Sequence, residues 1–258
     1  MAPLEILGLA ASAAAAGAIN AVAGGGTLVT FPTLLLFGTR PLVANATSTI
    51  ALFLGTAGGV FGYRRKMAAI RPWLARFVPV SVLGGFAGGW LLIHTSDQTF
   101  TKLVPFLILF ATLLFLGQGA LRRLGGAREG AAIAPSAGAV WAAVVFQLAV
   151  SVYGGYFGAG IGILMLASLG LIGLTDIHEM NALKTVLASL INLVATGVFV
   201  VKGLIDWPRA GVMTVGAVAG YFLGSHFAQR IPQKRVRQFV TGIGFVLSAV
   251  TFYQAFLK

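Results

Sequence analysis

Charged residues divide this chain into long apolar runs. Ile6–Thr39, Pro41–Tyr63, Leu103–Leu121, Gly130–Thr175, Thr185–Val201 and Gln238–Leu257 contain no Asp, Glu, Lys or Arg. Phe77–Ser96 and Ala210–Gln229 carry only a late histidine each, His94 and His226. A helix that crosses a bilayer needs roughly 20 apolar residues, so six of these runs predict single spanning helices. The other two, Ile6–Thr39 and Gly130–Thr175, are too long for one straight helix. Each holds a glycine cluster, Gly24-Gly25-Gly26 in the first and Gly158-Ala159-Gly160-Ile161-Gly162 in the second. The pattern predicts an all-α polytopic membrane protein.

The run pattern repeats. Residues 4–125 and 137–258 read as two membrane repeats, each a Gly-broken first segment followed by three spanning helices, joined by the polar connection Arg122–Pro135. A gapless offset of 136 residues places Gly24 on Gly160, Gly26 on Gly162, Asn45-Ala46 on Asn181-Ala182 and Thr49 on Thr185. It also places Lys66 on Lys202, Pro72 on Pro208 and Gln118 on Gln254. Equivalent loops carry opposite charge bias. Arg64, Arg65, Lys66 and Arg71 are basic where the second copy has Lys202 offset by Asp206, and Arg230, Lys234, Arg235 and Arg237 face a neutral Asp97/Lys102 pair in the first. Basic loops collect on the cytoplasmic side, so the exchange predicts two pseudo-symmetric repeats inverted relative to each other.

Composition narrows the function class. Of 258 residues 58% are hydrophobic and only 9% charged, about a third of the ordinary charged share of roughly 25%. A soluble enzyme could not cover its surface so thinly. The net charge of +12 would suggest nucleic acid in a soluble chain, but here it follows from basic loops, and no nucleic-acid partner is expected. The chain has no cysteine, which excludes thiolate metal sites and thiol chemistry. The N-terminal region carries Glu5 and no Lys or Arg, unlike a cleaved signal peptide. No nucleophile–base pair, paired carboxylate or cofactor motif is present. The expectation is a non-enzyme without cofactor or metal, embedded by many passes in the inner membrane, with the lipid bilayer and a small anionic substrate as partners and homo-oligomerisation open.

Candidate chemistry lies at the breaks. Irregular backbone survives at membrane depth only where protein or a wet cavity supplies hydrogen-bond partners, and the N-terminus of a half-helix offers N–H donors and a positive dipole end to an anion. This nominates Gly24, Gly25, Gly26 and Thr27 with Gly158, Gly160 and Gly162, and Asn20 one turn before the first cluster. Close helix packing is the competing reading for these glycines, and the expected role of Gly84/Gly88 and Gly220/Gly224. About twenty residues after each cluster, Asn45, Thr47 and Ser48, and then Asn181, Lys184 and Thr185, are expected in the first turn of the next helix. Lys184 replaces Ser48 of the first copy and would give a shared site one positive charge. It could instead snorkel to the interface or pair with Glu179 or Asp176. Asn192, Gln118, Gln147 and Gln254 read as interhelical hydrogen-bonding groups, and Asp176-Ile177-His178-Glu179 as a capping turn rather than a metal cluster. Trp73, Trp90, Trp141 and Trp207 fall near segment ends, as an interfacial belt would.

Asn20-Ala21-Val22-Ala23-Gly24-Gly25-Gly26-Thr27, then Pro32, Gly38, Pro41 and Ala44-Asn45-Ala46-Thr47-Ser48, resemble the signature of the TauE/SafE (TSUP, sulfite exporter) family of membrane permeases. Tyr153-Gly154-Gly155-Tyr156-Phe157-Gly158-Ala159-Gly160-Ile161-Gly162 and Met180-Asn181-Ala182-Leu183-Lys184 resemble that family's second copy. The resemblance spans nearly the whole chain. It implies a secondary transporter of small anions, often sulfur oxyanions or organosulfonates such as sulfite, sulfoacetate or thiosulfate, and usually export, by alternating access between the repeats. A passive anion channel and a non-transporting membrane sensor or assembly factor are the alternatives.

Overall fold

The computed structural model describes residues 1–22, 24–62, 67–124, 136–171, 174, 176–227 and 233–256. Arg64, Arg65, Lys66, Arg128, Arg230 and the central connection 125–135 lie outside the described residues, as do the side chains of Gln118, His226, Lys234, Arg235 and Arg237. The described chain forms ten helices: α1 (Pro3–Val22), α2 (Thr27–Leu36), α3 (Pro41–Gly62), α4 (Met67–Ile93), α5 (Asp97–Leu124), α6 (Ala137–Tyr156), α7 (Ile161–Leu171), α8 (Ile177–Val201), α9 (Trp207–Phe227) and α10 (Gln233–Phe256). Five of them, α1, α4, α5, α6 and α8, are long and apolar enough to cross a membrane by length and composition. Large apolar side chains such as Leu83, Phe86, Phe106, Trp141, Val215 and Phe222 stand exposed on the outer faces, where only lipid would leave them without penalty.

Each Gly-broken segment is a full-length helix followed by a half-length one. At about 1.5 Å per residue, the 10 residues of α2 and 11 of α7 reach roughly 15 Å, half of a ~30 Å hydrocarbon core. The first pair folds back on itself. The Phe37 ring lies so close to Gly8 that a Cβ there would stand 2.8 Å from it, and Arg209 bonds both Glu5 at the start of α1 (2.7 Å) and the Phe37 carbonyl at the end of α2 (3.2 Å). The ends of this hairpin therefore share one face of the molecule, and the glycines at its tip lie at depth.

The structure moves the internal register of the first segments. Gly24 and Gly158 both have left-handed φ, 78° and 79°, and each amide bonds the carbonyl five residues back, Ile19 and Tyr153. Gly24 thus corresponds to Gly158 and Gly26 to Gly160, an offset of 134, whereas α3/α8 and α5/α10 begin 136 apart. The gapless alignment, with Gly24 on Gly160, is two residues out here because the second copy carries two more residues from the start of its short helix to the start of the next.

The halves interlock. The most extensive helix contacts are α1 with α9 and α4 with α6, the same pairing with the halves exchanged. Gly216, Gly220 and Gly224 of α9 lie against the backbone of Ala10, Ala14 and Ala18 of α1, so these helices run parallel. Gly84 and Gly88 of α4 meet Ser151, Val152 and Tyr156 of α6 in the same sense. Small residues let the backbones approach where no hydrophobic effect drives association, so these glycines pack, as expected. Gln147 of α6 adds an interhelical bond to Ser81 of α4 (3.0 Å). The equivalent helices α5 and α10 run antiparallel, Thr112 meeting Gly244 while the Ser248 hydroxyl donates to the Pro105 carbonyl at 3.2 Å.

One local expectation changes and one holds. Asn45, Thr47 and Asn181 lie in the second turns of α3 and α8, and Ser48, Lys184 and Thr185 at the start of the third, not in the first, because those helices already start at Pro41 and Ile177. The cap of α8 is Asp176, whose Oδ1 accepts from the His178 and Glu179 amides (2.7 and 3.4 Å), the capping turn that its sequence suggests.

Candidate anion site between the two glycine turns

The two turns are braced differently. In the first, the Asn20 carboxamide oxygen accepts from the Gly26 amide at 2.7 Å, which occupies one of the donors at the start of α2. In the second, the Tyr153 hydroxyl donates to the Ala159 carbonyl at 2.8 Å. Left-handed φ at Gly24, Gly25, Gly158 and Gly160 is where residues other than glycine are strained. The turns meet: a Cβ on Gly24 would stand 3.5 Å from the Gly162 Cα.

Beside this junction is a cavity of about 60 Å³. One water needs roughly 10–15 Å³ on the same measure, so the space suits a few waters or one small ion and not a nucleotide or drug-sized ligand, whose pockets run to roughly 300–1,000 Å³. Its walls come in related pairs, Gly24 with Gly158, Thr27 with Ile161, Leu52 with Ala188, and Thr56 with Asn192. The cavity therefore draws on matched positions of both halves. Asn20, Gly25, Gly162, Lys184, Thr185 and Tyr221 complete the lining and break the symmetry. Counted along α3, α8 and α9 at about 1.5 Å per residue, the lining residues lie roughly 10–23 Å from the helix starts, around the middle of those helices.

Lys184 supplies the charge. It is 5% exposed, and its ammonium donates to the Asn181 carboxamide oxygen at 3.1 Å. Thr27 and Thr185 are also buried. Among the described residues, their hydroxyls and the Asn192 carboxamide make no hydrogen bond to the protein. A cation, uncharged donors and the first amides of two half-helices around a small space are the ingredients for holding an anion.

Of the residues nominated by sequence, Asn20, Gly24, Gly25, Thr27, Gly158, Gly162, Lys184 and Thr185 line this cavity. Gly26 and Gly160 sit within the turns, Gly26 packed on Ala16, and Asn181 holds Lys184 from one turn away. Asn45, Thr47 and Ser48 of α3 face protein instead. Asn45 donates to the Tyr156 carbonyl at the end of α6 (2.9 Å), Thr47 accepts from the Asp206 amide (3.0 Å), and Ser48 bonds Thr30 (2.6 Å). These contacts fix α3 against α6, α9 and α2. Leu52, Thr56, Ile161, Ala188, Asn192 and Tyr221 were not nominated. Ala188 and Asn192 follow Lys184 at intervals of four, one helix face, and that spacing was the available signal. Tyr221 arrives from α9 with no local cue. Among the described residues, no group of His, Asp and Glu could hold a metal ion.

A profile of the family described as "Sulfite exporter TauE/SafE" matches residues 9–251. A "Probable membrane transporter protein" of Haemophilus influenzae is 31% identical over 245 residues, covering 91% of this chain and 89% of that protein. "Probable membrane transporter protein YfcA" of Escherichia coli K12 is 26% identical over 244 residues (93% and 87%), and "Probable membrane transporter protein ORF9" of a Sinorhizobium species 25% over 238 residues (90% and 87%). No solved structure matches the chain.

Proposed function

The chain belongs to the sulfite exporter TauE/SafE family of membrane transporters, and from that premise we propose that it carries small anions, such as sulfite, organosulfonates or other sulfur oxyanions, across the inner membrane by alternating access at the cavity between the two glycine turns. The observation that carries this reading is the buried Lys184 beside a small mid-depth space lined by both half-helix starts. Asn20, Thr27, Thr185 and the turn amides would complete the anion's coordination. A discrete cavity, rather than a continuous bore, favours a carrier over a channel.

The repeats are inverted in this reading. Equivalent helices α5 and α10 run antiparallel, and each half lends its first helix to the fourth helix of the other. Inverted halves around a central site are the usual basis for rocking between inward-open and outward-open states. Export needs no coupling ion: a monovalent anion leaving a cell that is negative inside gains about 2.3 kcal/mol per 100 mV.

Flux into proteoliposomes with a panel of sulfite, sulfonates, thiosulfate and carboxylates tests the proposal. Saturable flux with counterflow of labelled substrate is expected for at least one sulfur oxyanion. Flux that never saturates would make the protein a channel, and no flux with any anion would remove the transport reading.

A further inference from the structure

A second feature, independent of the central cavity, lies on the outer wall where α4 and α6 start. A groove of about 600 Å³ runs between them, lined by Trp73 and Arg76 of α4 and by Ala137, Val140, Trp141 and Val144 of α6. The Arg76 guanidinium lies over the Trp73 ring, 5.3 Å from its centroid, and Trp73 stacks on Phe77. Trp141 is 69% exposed.

Arg76 is oddly placed for a surface charge. On α4 it shares a face with Leu83, Phe86 and Trp90, at spacings of seven, ten and fourteen, and all three are exposed apolar side chains that only lipid would cover. Its level is set by α6. The groove spans the first two turns of α6, and 20 residues at about 1.5 Å each carry that helix across roughly one hydrocarbon core. Arg76 therefore stands at the boundary between headgroups and acyl chains. Among the described residues neither Arg76 nor the exposed Arg71 one turn nearer the end has a carboxylate partner. A cation at that depth is stable when it finds an anion or reaches water.

We infer that this groove binds one anionic phospholipid, its phosphate on Arg76 and Arg71 and an acyl chain along Val140, Trp141 and Val144. The charge argument selects the occupant. A zwitterionic choline lipid would bring a cation to a site already holding two, and the Trp73 face that could attract it is covered by Arg76. Basic pockets between helix ends that take acidic headgroups follow the same electrostatics. The face concerned carries Arg71, on the side to which the loop charges assign the cytoplasm.

Native mass spectrometry of the purified full chain, titrated with phosphatidylglycerol or phosphatidylcholine of matched acyl chains, provides the test. Phosphatidylglycerol is expected to bind preferentially. Arg76→Ala should weaken it about fivefold, the factor that one basic residue contributes near an acidic surface. Trp141→Ala, which keeps the charge, should lower retention of the same lipid, and Lys202→Ala, elsewhere on the surface, should not. Equal binding of both lipids, or unchanged phosphatidylglycerol binding in Arg76→Ala, would overturn the inference. So would a change in subunit number in Arg76→Ala with lipid retention unaltered, which would assign the groove to a second copy of the chain.

Discussion

Replacing Lys184 tests the central site most directly. A cavity of about 60 Å³ keeps any bound anion within a few ångströms of its walls, so an anion there can hydrogen-bond the ammonium. Bare Coulomb attraction at about 4 Å and an effective dielectric of about 20 is roughly 4 kcal/mol, but that figure ignores the water both groups give up. The net worth of a hydrogen bond to a charged group, about 1.5–3 kcal/mol, is the better guide. Lys184→Ala should therefore raise the half-saturating substrate concentration by about 10–150-fold. Lys184→Gln keeps a neutral donor worth about 0.5–1.5 kcal/mol, loses the remaining roughly 1–1.5 kcal/mol, and should raise it by about 5–13-fold. Initial rates in proteoliposomes at clamped membrane potential, over a wide substrate range, measure both. The competing role is bracing α8 through Asn181. In that case Lys184→Gln and Asn181→Ala would lower thermal stability alike and leave half-saturation unchanged, and the anion-site reasoning would be refuted.

Three further outcomes follow from the packing. Gly24→Ala places a side chain at φ 78° and within 3.5 Å of Gly162, a strain of about 1–2 kcal/mol at the cavity wall. It should abolish flux in protein that still inserts, whereas Gly58→Ala, with open space around it, should transport normally. Gly220→Ala drives a methyl into the α1 backbone at Ala14 and should cost about 1–3 kcal/mol of stability, read as earlier thermal unfolding in detergent. Gly211→Ala on the same helix meets nothing and should leave the melting point unchanged or raise it. Because the chain has no cysteine, Arg71→Cys and Lys202→Cys can each be labelled alone with an impermeant maleimide. Opposite sides are expected, and labelling from the same side would exclude inverted repeats.

How far the sequence could be read depended on the kind of signal each feature leaves. Charge-free runs located nearly every helix because lipid tolerates few charges. The glycine clusters marked where regular backbone ends, but a break does not say which way the chain leaves it, and the return of α2 toward its own entry face is set by Phe37, Gly8 and Arg209 meeting across distant segments. The gapless register failed at the second cluster because Gly158, Gly160 and Gly162 offer two plausible alignments. Only backbone geometry, with Gly158 at the amide bonded five residues back, separates them. Lys184 was legible because a charge among apolar residues must be accommodated. Asn45 and Ser48 matched Asn181 and Lys184 by sequence position, yet their hydrogen bonds go to α6 and α2, a partner choice that local pattern cannot express. Tyr221 belongs to a helix that reaches the cavity only through tertiary packing.

The exchange of first helices between the halves also bears on biosynthesis. When α1 leaves the ribosome its partner α9 is still roughly 185 residues away, which at about 5–20 residues per second is a wait of about 10–40 s. Until then the small-residue stripe of α1 has only lipid, or a chaperone, to cover it. The later helix α6 finds α4 already made. Maturation of this protein is therefore lopsided in time although its architecture is balanced in space, and a truncated first half would leave the ribosome with an unclaimed helix face, an obvious substrate for membrane quality control.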